Sequence, residues 1–444
     1  MSDLNTSYLW ILKKQIIQKK GMIFDYFDLD NAATIYSIIN SNKTPGVFRL
    51  SATLKEKVQP IFLQSALMKI MNRFPYFNVN LRPGIFWPFW ETNFHSPEIE
   101  EDSVYVNKKI KLFKTGVYPF KVLYTNQRIA VEFHHSLTDG TGALTFLKSL
   151  LAEYLSQIGV DSRSWEGICK SNETPHPEEY EYAYKKYSKS NLPFPKRFDK
   201  AFQPPLAMEK YDKYHVTSIT IPLENILSYS REKKVTITEL LTTFYFEALQ
   251  RILYELSPAS FNLSKGIIRI PIPVNLRNIF PSKTMRNFSF IVAPEIDPRL
   301  GQFSFEEILN QVKYFLRATL IDKIIRQSIS RNVKAANFPL MYGAPLPLKL
   351  LFGRLIHNSY GERTFSGKIS NLGAVKMPNE FAEHISDFHF VPGRSYVINN
   401  GIGVIGYQDN LFLSFGRTLK DPIVEKHLLD IFDEHSIAFS TSNY

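Results

Sequence analysis

Residues 46–54 alternate apolar and polar positions, which predicts a half-buried strand with Phe48, Leu50, Ala52 and Leu54 on one face. Pro60 suits the first turn of a helix, and Leu63, Leu67, Ile70 and Phe74 follow at helical spacing until Pro75 stops it. Segments 119–125 and 128–134 flank Asn126-Gln127 as a hairpin, and its second strand runs straight into a pair of histidines. After Gly142 a helix carries Leu144, Leu147, Leu151 and Tyr154 along one side. Further on, 216–222 and 267–274 read as strands, the second alternating through Ile268, Ile270, Ile272 and Val274. Between them a helix over 238–254 has Leu241, Phe244, Ala248 and Ile252 on its buried face. A strand-turn-strand pattern around Gln408-Asp409-Asn410 and a last helix near 421–435 complete the series.

Residues 171–213 break the pattern. They are rich in Pro, Lys, Glu and Tyr, with prolines at 175, 177, 193, 195, 204 and 205, and show no sustained period. This segment reads as a crossover between an N-terminal lobe, residues 1–170, and a C-terminal lobe, residues 214–444. Each half mixes strands and helices without regular alternation, which predicts an α+β sandwich in each. A chain of 444 residues is long enough for two or three cores.

Composition narrows the function classes. Hydrophobic residues at 44% and charged ones at 21% describe a folded protein rather than a disordered one. The net charge of +11 suits an anionic partner, but the Lys and Arg residues are scattered and no nucleic-acid-binding spacing appears. Nucleic acid is therefore not expected as a partner. Cys169 is the only cysteine, so no disulfide or cysteine metal cage is expected. The apolar residues from Tyr8 to Leu12 are broken by lysines too soon for a signal peptide, and no stretch approaches a membrane span. A cytoplasmic location is expected, with peripheral membrane contact left open.

The candidate chemistry lies in Val131-Glu132-Phe133-His134-His135-Ser136-Leu137-Thr138-Asp139-Gly140-Thr141-Gly142. Successive strand residues project to opposite faces, so one histidine can enter a cleft while the other packs behind. His135 is the candidate general base, because imidazole titrates near neutrality, and His134 is its support. Asp139 can bond local backbone or meet a cation, and Gly140 permits a turn before the helix. No Gly-x-Ser-x-Gly elbow, His-Glu-x-x-His, phosphate loop or dinucleotide fingerprint occurs, and no metal or bound cofactor is expected.

His-His-x-x-x-Asp-Gly resembles the signature of the chloramphenicol-acetyltransferase-like superfamily, which includes alcohol acetyltransferases, mycobacterial polyketide-associated acyltransferases and condensation domains. Arg73-Phe74-Pro75-Tyr76-Phe77 with Gly84-Ile85-Phe86-Trp87 is similar to an early segment of the bacterial alcohol-acetyltransferase-like members. Ile272-Pro273-Val274-Asn275-Leu276-Arg277 with Arg286-Asn287-Phe288, and Ser370-Asn371-Leu372-Gly373, resemble later segments of the same group. Asp387-Phe388-His389-Phe390 lacks the glycines and tryptophan of the plant branch.

The resemblance implies two similar lobes with an active-site channel between them and His135 in its middle. It implies that Asp139 pairs with Arg277 as an architectural brace, and it gives Asn287, Ser370 and Asn371 channel positions. It also implies a monomer moving an acyl group from acyl-CoA, as co-substrate, to a hydroxyl-bearing small molecule or lipid. An acyl carrier protein is the alternative donor, with ester or amide as product. A non-catalytic lipid- or peptide-binding member of the fold is the remaining alternative.

Overall fold

The computed structural model describes residues 26–444 apart from 190–191, 194–197, 211–212, 257–265, 337–342 and 357–360. The apolar stretch from Tyr8 to Leu12 and Pro195 of the crossover lie outside the described residues.

Two five-stranded sheets organise the chain. The first runs in the order Ile385–Val391, Val47–Leu54, Arg128–His134, Phe120–Tyr124 and Ile99–Glu101, antiparallel except for the last pair. The second runs Ile369–Val375, Asn400–Tyr407, Asn410–Arg417, His215–Pro222 and Ser440–Asn443, with only its first pair parallel. Helices Pro60–Arg73 and Gly140–Gln157 pack together beside the first sheet, and Ile237–Leu256 packs against Phe305–Thr319 and Ile423–Glu434 beside the second. This is the α+β arrangement, in two lobes, that the pattern predicts.

Ile385–Val391 lies far beyond the crossover in sequence, yet it covers the edge of Val47–Leu54 in the first sheet. The lobes therefore share a strand instead of dividing cleanly along the chain, and Ile385–Val391, not Val47–Leu54, forms that edge of the first sheet. The sheets approach closely where Asn400–Tyr407 passes Ile385–Val391: a Cβ on Gly403 would stand 1.9 Å from the Phe390 carbonyl oxygen. Only glycine fits there.

Two sequence expectations are corrected. Val47–Leu54 is buried on both faces, not one. Its second face holds Arg49, 1% exposed, whose guanidinium meets Asp102 at 2.7 Å and Glu132 at 2.8 Å. Ser51 on that face shares a 2.7 Å hydrogen bond with the hydroxyl of Tyr444. The expected strand 267–274 is instead two short ladders, Ile268–Arg269 on Glu295–Ile296 and Ile272–Asn275 on Ser289–Val292. The break falls at Ile270-Pro271, where proline has no N–H to give to a ladder.

The crossover is anchored as well as irregular. Arg73, at the end of its helix, makes two hydrogen bonds of 2.6 and 2.7 Å to the Glu179 carboxylate, and the Tyr76 hydroxyl adds a third at 2.7 Å. The ring-rich stretch 86–90 divides: Trp90 is buried in the first core, while Phe86 is exposed.

Arg49→Met should destabilise the chain by about 3–5 kcal/mol, because Glu132 is left buried without its cation and Asp102 keeps only Arg128, at 3.4 Å. Urea unfolding checks this; an unchanged midpoint would show that the cluster carries no weight.

Candidate active site

The strand Arg128–His134 delivers its histidines to opposite sides, as strand geometry requires. The His134 N–H donates to the Pro119 carbonyl at 2.8 Å, and the His135 N–H to the Gly46 carbonyl at 2.8 Å. His134 is fully buried, and its Nδ1 accepts the Ser136 backbone N–H at 3.1 Å. Burial pushes its pKa down to about 3; the neighbouring His135 lowers it further and the Pro45 carbonyl opposes. It is neutral packing support for the loop.

His135 is held between two rings. Tyr36 stacks on its imidazole with centroids 4.6 Å apart and planes at 18°, and Phe48 lies at 4.4 Å and 37°. Burial lowers its pKa to about 4, Asp139 and the Thr138 backbone raise it, and the Lys368 ammonium lowers it. At neutral pH the imidazole is uncharged and able to accept a proton.

Asp139 caps the helix Gly140–Gln157, its Oδ1 accepting the Gly142 N–H at 3.2 Å. The same carboxylate takes both arms of Arg277, with Nη1 to Oδ2 at 2.8 Å and Nη2 to Oδ1 at 3.2 Å. The Phe288 N–H reaches Oδ2 at 2.9 Å. Arg277 also donates to the Thr284 carbonyl at 2.8 Å and the Arg286 carbonyl at 2.6 Å. The pair thus bolts segment 284–288 of the second half to the histidine loop. With its acceptor positions so used, Asp139 acts on His135 through its charge, not as a hydrogen-bonded partner.

Gly140 differs from its expected part as a turn residue. It is the first residue of the helix and has no positive φ. A Cβ there would stand 2.5 Å from Leu372, so glycine admits that side chain from the second sheet. Asn287 lies at the seam, and its Nδ2 donates to the His135 carbonyl at 2.8 Å. Asn371 donates to Thr238 Oγ1 at 3.1 Å and accepts the Gly373 N–H at 2.8 Å, which places its amide in the irregular turn of its strand. Ser370 is half-buried beside it. His389 packs edge-on against Phe412 and Tyr444, with Nε2 3.4 Å from Asp387.

Sequence reasoning missed Tyr36 and Lys368. Tyr36 belongs to a short helix, Asn31–Ile39, that carries no motif. Lys368 is a half-buried lysine whose Nζ donates to the Gly393 carbonyl. Burial lowers its pKa to about 8 and Glu362 opposes. No local pattern could have shown either residue, since Tyr36 reaches His135 only through tertiary packing and Lys368 acts on it only through its charge. A cavity of about 260 Å³ lies beside the brace, walled by Phe27, Tyr76, Tyr180, Tyr182 and Arg286. Among the described residues, no cluster of three or more His, Cys, Asp or Glu side chains could hold a metal ion.

No family model and no curated protein matches this chain. Solved structures do. The trichothecene 15-O-acetyltransferase of Fusarium sporotrichioides aligns at a TM-score of 0.59 and 11% identity, over 92% of this chain and 94% of that one. TRI101 of F. graminearum, solved with coenzyme A and T-2 mycotoxin, aligns at 0.58 and 9% identity over 94% and 99%. The epimerization domain from the third module of tyrocidine synthetase B aligns at 0.56 and 11% identity over 92% and 95%. The chain therefore has the two-lobed fold of the chloramphenicol-acetyltransferase-like and condensation domains.

Asp139→Ala should cost about 3–5 kcal/mol, because it leaves Arg277 partly buried and unpaired and removes a helix cap. Thermal unfolding checks it; a wild-type melting temperature would contradict the brace. The pKa of His134 is lowered on folding, so its contribution is present above the unfolded value of about 6.5 and is lost as pH falls towards the folded one. Stability should fall on that limb by about 1.4 kcal/mol per pH unit for this group, and His134→Gln should flatten the slope. Chemical denaturation at several pH values reads both.

Proposed function

We propose that this chain is an acyltransferase that moves an acyl group from acyl-CoA to a hydroxyl acceptor, with His135 as general base. The observation carrying this reading is the placement of the His135 imidazole, clamped between Tyr36 and Phe48 beside the ion pair that joins the halves. The fold supports it, being shared with acetyltransferases, one of them solved with coenzyme A.

On this reading the acceptor hydroxyl gives its proton to the imidazole as its oxygen attacks the thioester carbonyl. The C–O bond forms and a tetrahedral oxyanion results. That anion, close to the imidazolium, stabilises the proton that burial otherwise disfavours. Collapse breaks the C–S bond, and the imidazolium returns its proton to the departing thiolate. Burial keeps the resting imidazole neutral, the Lys368 ammonium adds to this, and its charge favours the anionic intermediate. No residue of the chain is acylated, and Cys169, whose thiol burial pushes up, is poorly suited to be a nucleophile.

A second reading, transfer from a carrier-protein thioester, has the shared fold of the tyrocidine synthetase domain in its favour. Parallel assays with acyl-CoA and acyl-carrier thioesters separate the two, with faster turnover of the CoA donor expected here.

His135→Ala should lower turnover by about 10²–10⁴-fold while the circular dichroism spectrum stays native. Near-normal thiol release from a folded variant would sink the assignment. In the wild type, kcat/KM should fall on an acid limb near pH 4, not near 6.5, because the base must be neutral. Lys368→Met removes a repulsive charge and should move that limb upward.

A further inference from the structure

The helix carrying Tyr36 has an outer side, and that side belongs to an apolar face. Helix Leu346–Ile356 packs on it closely, with a Cβ on Gly353 falling 2.5 Å from Ile38. The Leu346 N–H bonds the Ile85 carbonyl at 2.9 Å. Lys349 Nζ donates to the Phe86 carbonyl at 2.8 Å and stands 3.2 Å from the centre of the Trp87 ring. Three separate segments are thereby locked into one surface. From it Ile35, Ile85, Phe86, Leu348, Leu351 and Phe352 project, each between 46 and 76% exposed. Isolated exposed apolar side chains are ordinary; a contiguous group of them marks an interaction site.

Charge indicates the occupant. Residues 31–39, 83–88 and 346–356 contain no acidic residue, and Lys349 is buried beneath them against Trp87. The adjoining helix Asp322–Ala336, tied on by a hydrogen bond from Asn31 Nδ2 to the Asn332 carbonyl, carries Lys323, Arg326, Arg331 and Lys334 against the single acid Asp322. The whole chain is +11. Apolar side chains beside a helix rich in cations are what an interfacial, anionic lipid layer binds. The same helix that shows Ile35 to solvent lays Tyr36 on His135, so this face lies about one helix diameter, ~10 Å, from the imidazole.

We propose that this face docks on an anionic lipid bilayer and that the hydroxyl acceptor is a lipophilic alcohol drawn from it. The acceptor part rests on the reading of His135 as base; the docking part does not. The test uses the full chain, sedimented with phosphatidylcholine vesicles and with phosphatidylcholine–phosphatidylglycerol vesicles, beside the double variant Leu351→Glu/Phe352→Glu. The chain should bind the anionic vesicles preferentially, and the variant should lose at least about tenfold in affinity through the lost apolar burial. The milder Leu351→Ser/Phe352→Ser should weaken binding in the same direction. With acyl-CoA as donor, the variants should lose turnover of a vesicle-borne long-chain alcohol and keep that of a water-soluble one. The docking proposal is overturned by no vesicle binding, by equal binding to neutral vesicles, by binding the variants retain, or by a wild-type dimer that the variants dissociate. Absence of thiol release with either alcohol would instead defeat the reading of His135 and leave the sedimentation result to decide the docking.

Discussion

The ion pair between Asp139 and Arg277 is the constraint on which the site depends. Asp139 closes the histidine loop and caps the helix beneath it, while Arg277 gathers the carbonyls of Thr284 and Arg286. The Asn287 amide then reaches the His135 carbonyl. Two stretches more than a hundred residues apart are thus fixed as one piece, and the backbone carrying the imidazole cannot shift without breaking charge-assisted bonds. Such a partly buried pair contributes less net stability than its Coulomb energy suggests, because both ions are desolvated. Its value here is geometric.

Around that brace the protein sets the protonation of His135 by opposing influences. Burial between Tyr36 and Phe48 disfavours the imidazolium, Asp139 favours it, and Lys368 opposes it again. The outcome is a neutral ring at physiological pH whose cationic form becomes affordable only when negative charge develops beside it. The strand exchanged between lobes serves the same end. With Ile385–Val391 in the first sheet and Gly403 against its backbone, the seam is continuous with both cores.

Much of this was legible in the sequence, for identifiable reasons. Val47–Leu54, Pro60–Arg73 and the hairpin ending at His134 are written in local periodicity, which does not depend on what packs against it. Periodicity also has limits. It could not show that the second face of Val47–Leu54 is covered, because a neutral Ser51 and a paired Arg49 read as solvent-facing until their partners are known. It carried one strand through Ile270-Pro271, where the ladder changes partner. At the site, the spacing of His135 and Asp139 was visible because both lie on one turn of chain. Tyr36 and Lys368 were not, since the fold stacks the first on the ring and sets the charge of the second near it from distant parts of the chain.

In the proposed reaction transfer at His135 is direct, with no acyl group resting on the protein. Mass spectrometry of the chain during turnover of acyl-CoA with an alcohol tests this most directly. Direct transfer should give ester and free thiol in equal amounts while the protein keeps its unmodified mass throughout. An acylated protein that forms and decays at the rate of turnover, or thioester cleavage without ester, would contradict it.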